Sequence, residues 1–278
     1  MTALTRDPDS ASVKALPADV KIVRADYTSV EALTATLRDG SFDALVILIN
    51  RLQPQAQINL IDAAAATGSN MHIIPSSFGI DYSHPDVKRL QAPLIEDKMA
   101  MEEHLFSVAR AGKLTYTAIN AGMFLDWALD RGQCVDLRRD KKPTMLFDGG
   151  NVKLSASTLD FIGEAVANAL LRKEEVVNRV LYVHTAAITQ QQILGYAKEL
   201  APDMEIQTVP VDTAELEKRT LEEIRGGASG PEAARPLMVR TTFGLGLGLF
   251  EKTDNALLGL REWTEDDLKA LIAKYIRR

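Results

Sequence analysis

Six consecutive apolar residues, Ala44-Leu45-Val46-Ile47-Leu48-Ile49, restrict what this chain can fold into more than any other stretch. An extended segment without polar alternation has no face to offer water, so it reads as a strand buried on both sides, the position found in parallel sheets covered by helices. Its neighbours fit that setting. Thr2 to Thr5 is a short strand ended by Arg6, with Asp7-Pro8-Asp9-Ser10 breaking the chain after it, and Val20 to Val23 is a second strand. Thr28-Ser29-Val30-Glu31 has the pattern of a capping box, opening a helix with Leu33 and Leu37 on its apolar stripe and Gly40 at its end. An Ala-rich helix around Gln55 to Thr67, stopped by Gly68, leads to another buried strand, His72-Ile73-Ile74, bounded by Pro75. This alternation of strand and helix predicts an α/β chain with a Rossmann-like, doubly wound parallel sheet. Chemistry in such sheets sits at the carboxyl ends of the strands.

After Pro75, the residues Ser76, Ser77, Phe78 and Gly79 make a loop, prolonged by Asp81, Ser83 and Pro85. A helix is then predicted from about Leu94 to Ala111, with Lys98, Met101, Leu105 and Val108 along its inward face. A lysine on that face, at the rim of a strand-end crevice, would have its pKa lowered by desolvation and could act as a general acid or base. The alternative is a lysine whose stem packs while its ammonium reaches water.

Pro75-Ser76-Ser77-Phe78-Gly79-Ile80-Asp81 resembles the P-S-E-F-G-x-D loop of the NmrA-like, isoflavone-reductase-like branch of atypical short-chain dehydrogenases. Thr115 to Phe124, TYTAINAGMF, is similar to that family's Y-T-x-I-x-x-G-x-F strand. The resemblance implies that Lys98, in Glu96-Asp97-Lys98, is the catalytic acid/base. It further implies that Ser76, Phe78 and Asn120 shape the nicotinamide end of a cofactor site, with Phe124 beside the substrate. Ser77 stands where the family usually has glutamate, a departure that bears on the loop's hydrogen bonds.

The dinucleotide fingerprint, a glycine-rich turn after the first strand, does not open this sequence. By the resemblance, the chain begins at the family's second strand and is N-terminally truncated relative to it, without the turn that grips pyrophosphate. The other glycine-rich run, Phe243 to Phe250, reads as a phosphate loop or as a lid or packing loop over a substrate pocket; alternating leucines favour the latter. Arg6 occupies the position where the resemblance implies NADP(H), because arginine suits a 2'-phosphate and an acidic residue suits a free hydroxyl. An exposed arginine after a strand is the other reading.

Beyond Phe124 the residues Gly132, Pro143 and Asp148-Gly149-Gly150-Asn151 indicate loops. An amphipathic helix follows from Thr158 to Arg172, then a strand at Arg179 to Val183, and a capping box at Thr189 to Gln192. Asp212 caps a further helix, Gly226 to Pro231 is a loop, and Thr264 starts the last helix, with Leu268, Leu271, Ile272 and Tyr275 inward. These readings divide the chain into a Rossmann-like NAD(P)-binding domain, 1–130, and a C-terminal α/β substrate region, 131–278.

Composition excludes several classes. A net charge of −6 gives no general positive field to recruit nucleic acid, and the run Arg138 to Lys142 reads as a solvated loop. A single cysteine, Cys134, excludes an intramolecular disulfide framework and reads as a packing residue in a reducing compartment. His72, His84, His104 and His184 lack metal-ligand spacing. No apolar run has the length of a membrane span, so a cytoplasmic protein acting on a small molecule is expected, with neither membrane nor nucleic acid as partner. The functional expectation is NADPH-dependent reduction of a small aromatic or conjugated metabolite by an enzyme of the NmrA-like, isoflavone-reductase-like type, inactive as this sequence stands if the pyrophosphate loop is absent. The alternative from another class is a non-catalytic sensor or regulator of the NmrA type, for which an acid/base lysine has no use. A cofactor-free isomerase or cyclase using Lys98 has no positive support.

Overall fold

The computed structural model describes residues 1–49, 53–138 and 142–276, and their side chains except those of 91–94 and 231. Positions 139–141 of the basic run lie outside the described residues. In chain order the elements are β1 (Thr2–Thr5), α1 (Ala11–Lys14), β2 (Lys21–Arg24), α2 (Val30–Gly40), β3 (Ala44–Val46), α3 (Pro54–Thr67), β4 (His72–Ile74), α4 (Pro85–Arg110), β5 (Thr115–Asn120) and β6 (Met123–Phe124). There follow α5 (Leu125–Asp130), β7 (Thr144–Phe147), β8 (Leu154–Ser157), α6 (Leu159–Leu171), α7 (Lys173–Val176), β9 (Arg179–Tyr182), β10 (Ala186–Ile188) and α8 (Gln190–Leu200). The chain ends with β11 (Thr208–Val211), α9 (Thr213–Arg225), α10 (Pro231–Val239), a π-helical turn (Arg240–Gly244) and α11 (Glu265–Ile276).

The chain divides into two compact units. The first holds Met1–Ser76, Asp97–Thr117 and Val177–Arg179, and the second holds Ser77–Glu96, Ala118–Val176 and Val180–Arg278. In the first unit β1 and β2 pair in parallel, as do β3 with β4 and β4 with β5, giving the α/β, Rossmann-like architecture that the rhythm of the sequence predicts. The strands are nevertheless shared between a β1-β2 pair and a separate sheet ordered β3-β4-β5-β9. Leu33 and Leu37 of α2, Leu60 and Ile61 of α3, Ile47, Ile73, and Met101 and Leu105 of α4 form one buried core. His72 is fully buried inside β4, with Nδ1 2.9 Å from the Thr115 hydroxyl and Nε2 3.1 Å from that of Thr117. Two threonines on the adjacent strand therefore satisfy an imidazole that would otherwise be expensive to bury.

Four local expectations need correction. The Ala44 to Ile49 run forms a strand only to Val46, and β3 is half-buried with Leu48 exposed, because among the described residues β3 pairs on one side only, at the end of its sheet. The cap of α2 is Ser29, which accepts the Ala32 N–H; Thr28 is taken instead by Asp26, whose carboxylate accepts from both its N–H and its hydroxyl. Helix α4 begins at Pro85 instead of near Leu94: Pro85 suits a first turn, and the His84 ring accepts the Asp86 N–H. Finally, the TYTAINAGMF segment is two strands in two sheets, broken at Gly122, whose φ of +71° turns the chain.

The second unit carries the sheets β10-β8-β6 and β11-β7. Its core joins Leu125 and Leu129 of α5, Leu154 and Ala156 of β8, Ile193 and Ala197 of α8, and Leu268, Leu271 and Ile272 of α11. The capping box at Thr189 and Gln192 forms as its sequence predicts, and Thr158 and Asp212 cap α6 and α9.

Candidate functional site

The Ser77 to Ile80 loop is held by the chain that leaves β5. Gly79 offers its carbonyl to the N–H groups of Ala121 (3.2 Å) and Gly122 (3.0 Å). The buried Asn120 amide, oriented to donate, reaches the carbonyls of Ser77 (3.1 Å) and Ile80 (3.2 Å). Asn120 thus clamps the loop through its backbone. Asp81, next in the loop, accepts the Tyr182 phenol at 3.1 Å, and the Tyr182 ring meets Phe250 edge-on at 5.3 Å between centroids. Gly122 permits the arrangement, since a Cβ there would lie 2.1 Å from the Ser155 carbonyl oxygen.

This clamped loop forms one wall of a cavity of about 680 Å³ within the second unit, a volume suited to a small organic molecule. Six aromatic side chains line it: Phe78, Tyr82, Phe124, Trp127, Phe147 and Phe243. Met123, Met145 and Met238 add polarisable, adaptable surface. The opposite wall is α10 and the π-helical turn after it, through Pro236, Val239, Thr242 and Phe243. The wide turn is braced from behind: Arg240 donates to Glu217 (3.1 Å) and to the Thr213 hydroxyl (2.9 Å), and Asp148 accepts from the Thr213 N–H at 2.8 Å. Gly244 fits against this network where a Cβ would lie 2.1 Å from Thr213 Oγ1. The rest of the glycine-rich run is packed down, with Gly248 accepting the Ser155 N–H and the Phe250 N–H bound by Ser155 Oγ. Its first part is cavity wall.

The remaining sequence-predicted residues belong to the first unit. Arg6 follows β1 at its carboxyl end, exposed, with its guanidinium carbon 5.9 Å from the centroid of Tyr27. Tyr27 donates to the Leu4 carbonyl at 2.8 Å, and burial raises its phenol above the ordinary value while the charge of Arg6 pulls the other way. Ser76 is half-buried just after β4. Lys98 is half-buried on α4, on the stripe that continues through the buried Met101 and Leu105. The structure thus puts Phe78 and Phe124 on one cavity, with Asn120 clamping the loop that carries Phe78, and sets Arg6, Ser76 and Lys98 in the other unit.

Two further groups invite a catalytic reading and do not support one. Ser155 Oγ lies 2.8 Å from His184 Nδ1, but Ser155 is fully buried and accepts the Phe250 N–H, so its hydroxyl is engaged inside the core. Burial holds His184 below its ordinary pKa, with the charge of Glu262 opposing. Cys134 is buried and its thiol is pushed up to about 12 by desolvation, which makes it inert as a nucleophile. Among the described residues no group of three His, Cys, Asp or Glu side chains is placed to hold a metal ion, and no helix is long and apolar enough to cross a membrane.

The model of the NmrA-like family matches residues 1–224. The chain belongs to the NmrA-like family. Over 98% of its length it is 24% identical to "Oxidoreductase poxI" of Penicillium oxalicum, covering 85% of that protein. Over 95% of its length it is 26% identical to "Oxidoreductase aprR" of Aspergillus flavus, covering 88%. Its fold is similar to that of leucoanthocyanidin reductase from Vitis vinifera in a ternary complex, with a TM-score of 0.76 at 16% identity, covering all of this chain and 91% of that one. It is also similar to a structure described as AtPrR2 with NADP+ and (+)pinoresinol, with a TM-score of 0.71 at 14% identity, covering 92% and 82%. In this NmrA-like chain the loop and strand motifs contain Phe78 and Phe124, which line the cavity, but none of the lining residues of α10. Trp127, Met145, Phe147, Arg235 and Met238 had no motif to mark them. The usable signal was Gly230-Pro231, a glycine followed by a proline in the first turn of a helix, as seen at the start of α10.

Proposed function

We propose that the protein is an NADPH-dependent oxidoreductase that reduces a small aromatic or conjugated metabolite. The observation that carries this reading is the second unit's cavity, whose six rings and three methionines offer stacking and dispersion to a flat apolar molecule. Relatives named as oxidoreductases over nearly the whole chain support the reaction class. Reductase folds determined with NADPH or with NADP+ support the cofactor.

The chemistry of Arg6 fits NADP. Its guanidinium is exposed at a strand's carboxyl end, lies near Tyr27, and has no carboxylate in ion-pair contact among the described residues, which leaves its donors for a 2'-phosphate. Ser76, Phe78 and Asn120 are assigned to the nicotinamide end, Asn120 acting through the loop backbone that it clamps. When bound, NADPH supplies the hydride. Lys98 exchanges the balancing proton at its Nζ, and Phe124 packs against the substrate.

The test is a titration with NADPH and NADH followed by calorimetry, then a substrate screen read by loss of the nicotinamide absorbance. Binding with preference for NADPH and turnover of an aromatic substrate are expected. Lys98→Ala should lower the rate about 10²–10⁴-fold, the usual worth of a general acid, and leave NADPH affinity within about twofold. An unchanged rate removes Lys98 from the mechanism. Cofactor binding without turnover across the screen favours a sensor.

A further inference from the structure

We propose that the cavity of the second unit selects a substrate carrying a carboxylate, which Arg235 holds while the ring system lies among the aromatic side chains. This rests on the reading of that cavity as the substrate pocket. Among the described residues that line it, only Glu232 and Arg235 are charged, and both stand on α10, one turn apart. They do not neutralise each other closely. Arg235 Nη1 and Glu232 Oε2 are 3.6 Å apart, beyond hydrogen-bond distance, with the glutamate side chain 84% exposed and the arginine 47%. The carboxylate is therefore well hydrated, whereas about half of the arginine side chain is withdrawn from solvent. Glu232 is the one carboxylate within ion-pair distance of Arg235 among the described residues. The guanidinium thus keeps its fork of donors for another acceptor.

The surroundings strengthen that charge towards a ligand. Beside Arg235 on the same wall are Pro236, Met238 and Val239, and Trp127 and Met145 also line the cavity. Apolar walls exclude water and lower the local dielectric, so an ion pair formed against them exceeds one on an open surface. A planar guanidinium matches a carboxylate with two parallel hydrogen bonds, and it gains little from a neutral amide or alcohol. A flat conjugated acid complements both features at once, because its ring buries apolar area while its single charge meets Arg235, the one cation among the described lining residues.

The experiment is calorimetric titration of the whole chain, without cofactor, using naphthoate and naphthamide, which share a ring system and differ in charge. Naphthoate should bind about tenfold more tightly, the scale of one charge-assisted hydrogen bond. Arg235→Gln should bring naphthoate down to the affinity of naphthamide while leaving naphthamide within about twofold. Glu232→Gln, which removes the competing carboxylate, should tighten naphthoate by about twofold to fivefold. Equal affinities in the unmodified protein, no naphthoate binding, or a naphthoate affinity indifferent to Arg235→Gln would each overturn the proposal. Turnover does not enter these readings. An acid preference in a protein that never oxidises NADPH sinks the reductase reading alone, and reduction of neutral substrates without acid preference sinks this inference alone.

Discussion

Cys134 shows how completely the surroundings of one residue decide its chemistry. It sits in the second unit's core with Leu125, Leu129 and Val135, and burial pushes its thiol up to about 12 from the ordinary value of 9.0. The fraction of thiolate near neutral pH is then negligible, so a disulfide reagent such as dithionitrobenzoate should react only as the chain unfolds. The labelling rate should rise with denaturant in step with the loss of helical circular dichroism; fast labelling of the folded protein would contradict the burial. The same shift has a consequence for stability. Below the unfolded thiol's value both states carry the neutral thiol, and nothing is lost. As pH rises from about 9 towards 12 the unfolded state ionises and the folded state does not, so stability falls across that window. A Cys134→Ala variant should lose less stability between neutral and alkaline pH than the unmodified protein, although its cavity lowers the starting value.

Among the elements, the break between β5 and β6 decides whether the candidate site exists at all. Gly122 has a φ of +71° and stands where a Cβ would be 2.1 Å from backbone oxygen of Ser155. Gly112 has nearly the same φ, +72°, with nothing within 4 Å of the corresponding Cβ. Comparing the two alanine variants separates backbone preference from steric approach. Gly112→Ala should cost about 1 kcal/mol, the left-handed penalty alone, while Gly122→Ala should cost about 3 kcal/mol or more, because a strand must move. Denaturant midpoints at constant slope measure both. Equal losses would mean that the Ser155 carbonyl yields easily. These contrasts also mark what the sequence could reveal. The caps at Thr189 and Asp212 were legible because each is a local bargain between a side chain and the next turn. Strand β4 was legible from two isoleucines after His72 and a proline behind them. By contrast, α10 contains Pro236 in its interior, which reads as a breaker, although Pro231 suits its first turn. The π-helical turn was equally hidden, since it depends on Arg240, Glu217, Thr213 and Asp148 meeting from distant parts of the chain. The smaller part of the cavity lining therefore lies in motifs, and the larger part arises from tertiary contacts that no local pattern records.

On the scale of the whole molecule, the proposed division of labour can be tested by asking whether two binding activities separate. Arg6 and its partner Tyr27 belong to the first unit, while every described lining residue of the cavity belongs to the second. If Arg6 recognises the 2'-phosphate of NADP, Arg6→Gln should weaken NADPH by about tenfold to a hundredfold, the range of a charge-assisted contact, and leave NADH within about twofold. The dependence of NADPH affinity on salt should flatten as well, because a screened ion pair has been removed. Naphthamide, being uncharged, reports on the cavity without reference to any cation, and its affinity should not respond to Arg6→Gln. Phe124→Ala should do the reverse, weakening naphthamide by about tenfold through lost ring contact and leaving NADPH within about twofold. Equal weakening of NADPH and NADH by Arg6→Gln would show that the arginine acts on the first unit's fold through Tyr27 instead of on the phosphate. A loss of naphthamide binding in that same variant would show that the two activities are energetically coupled, and the coupling free energy would then follow from the double variant Arg6→Gln/Phe124→Ala by the departure from additivity.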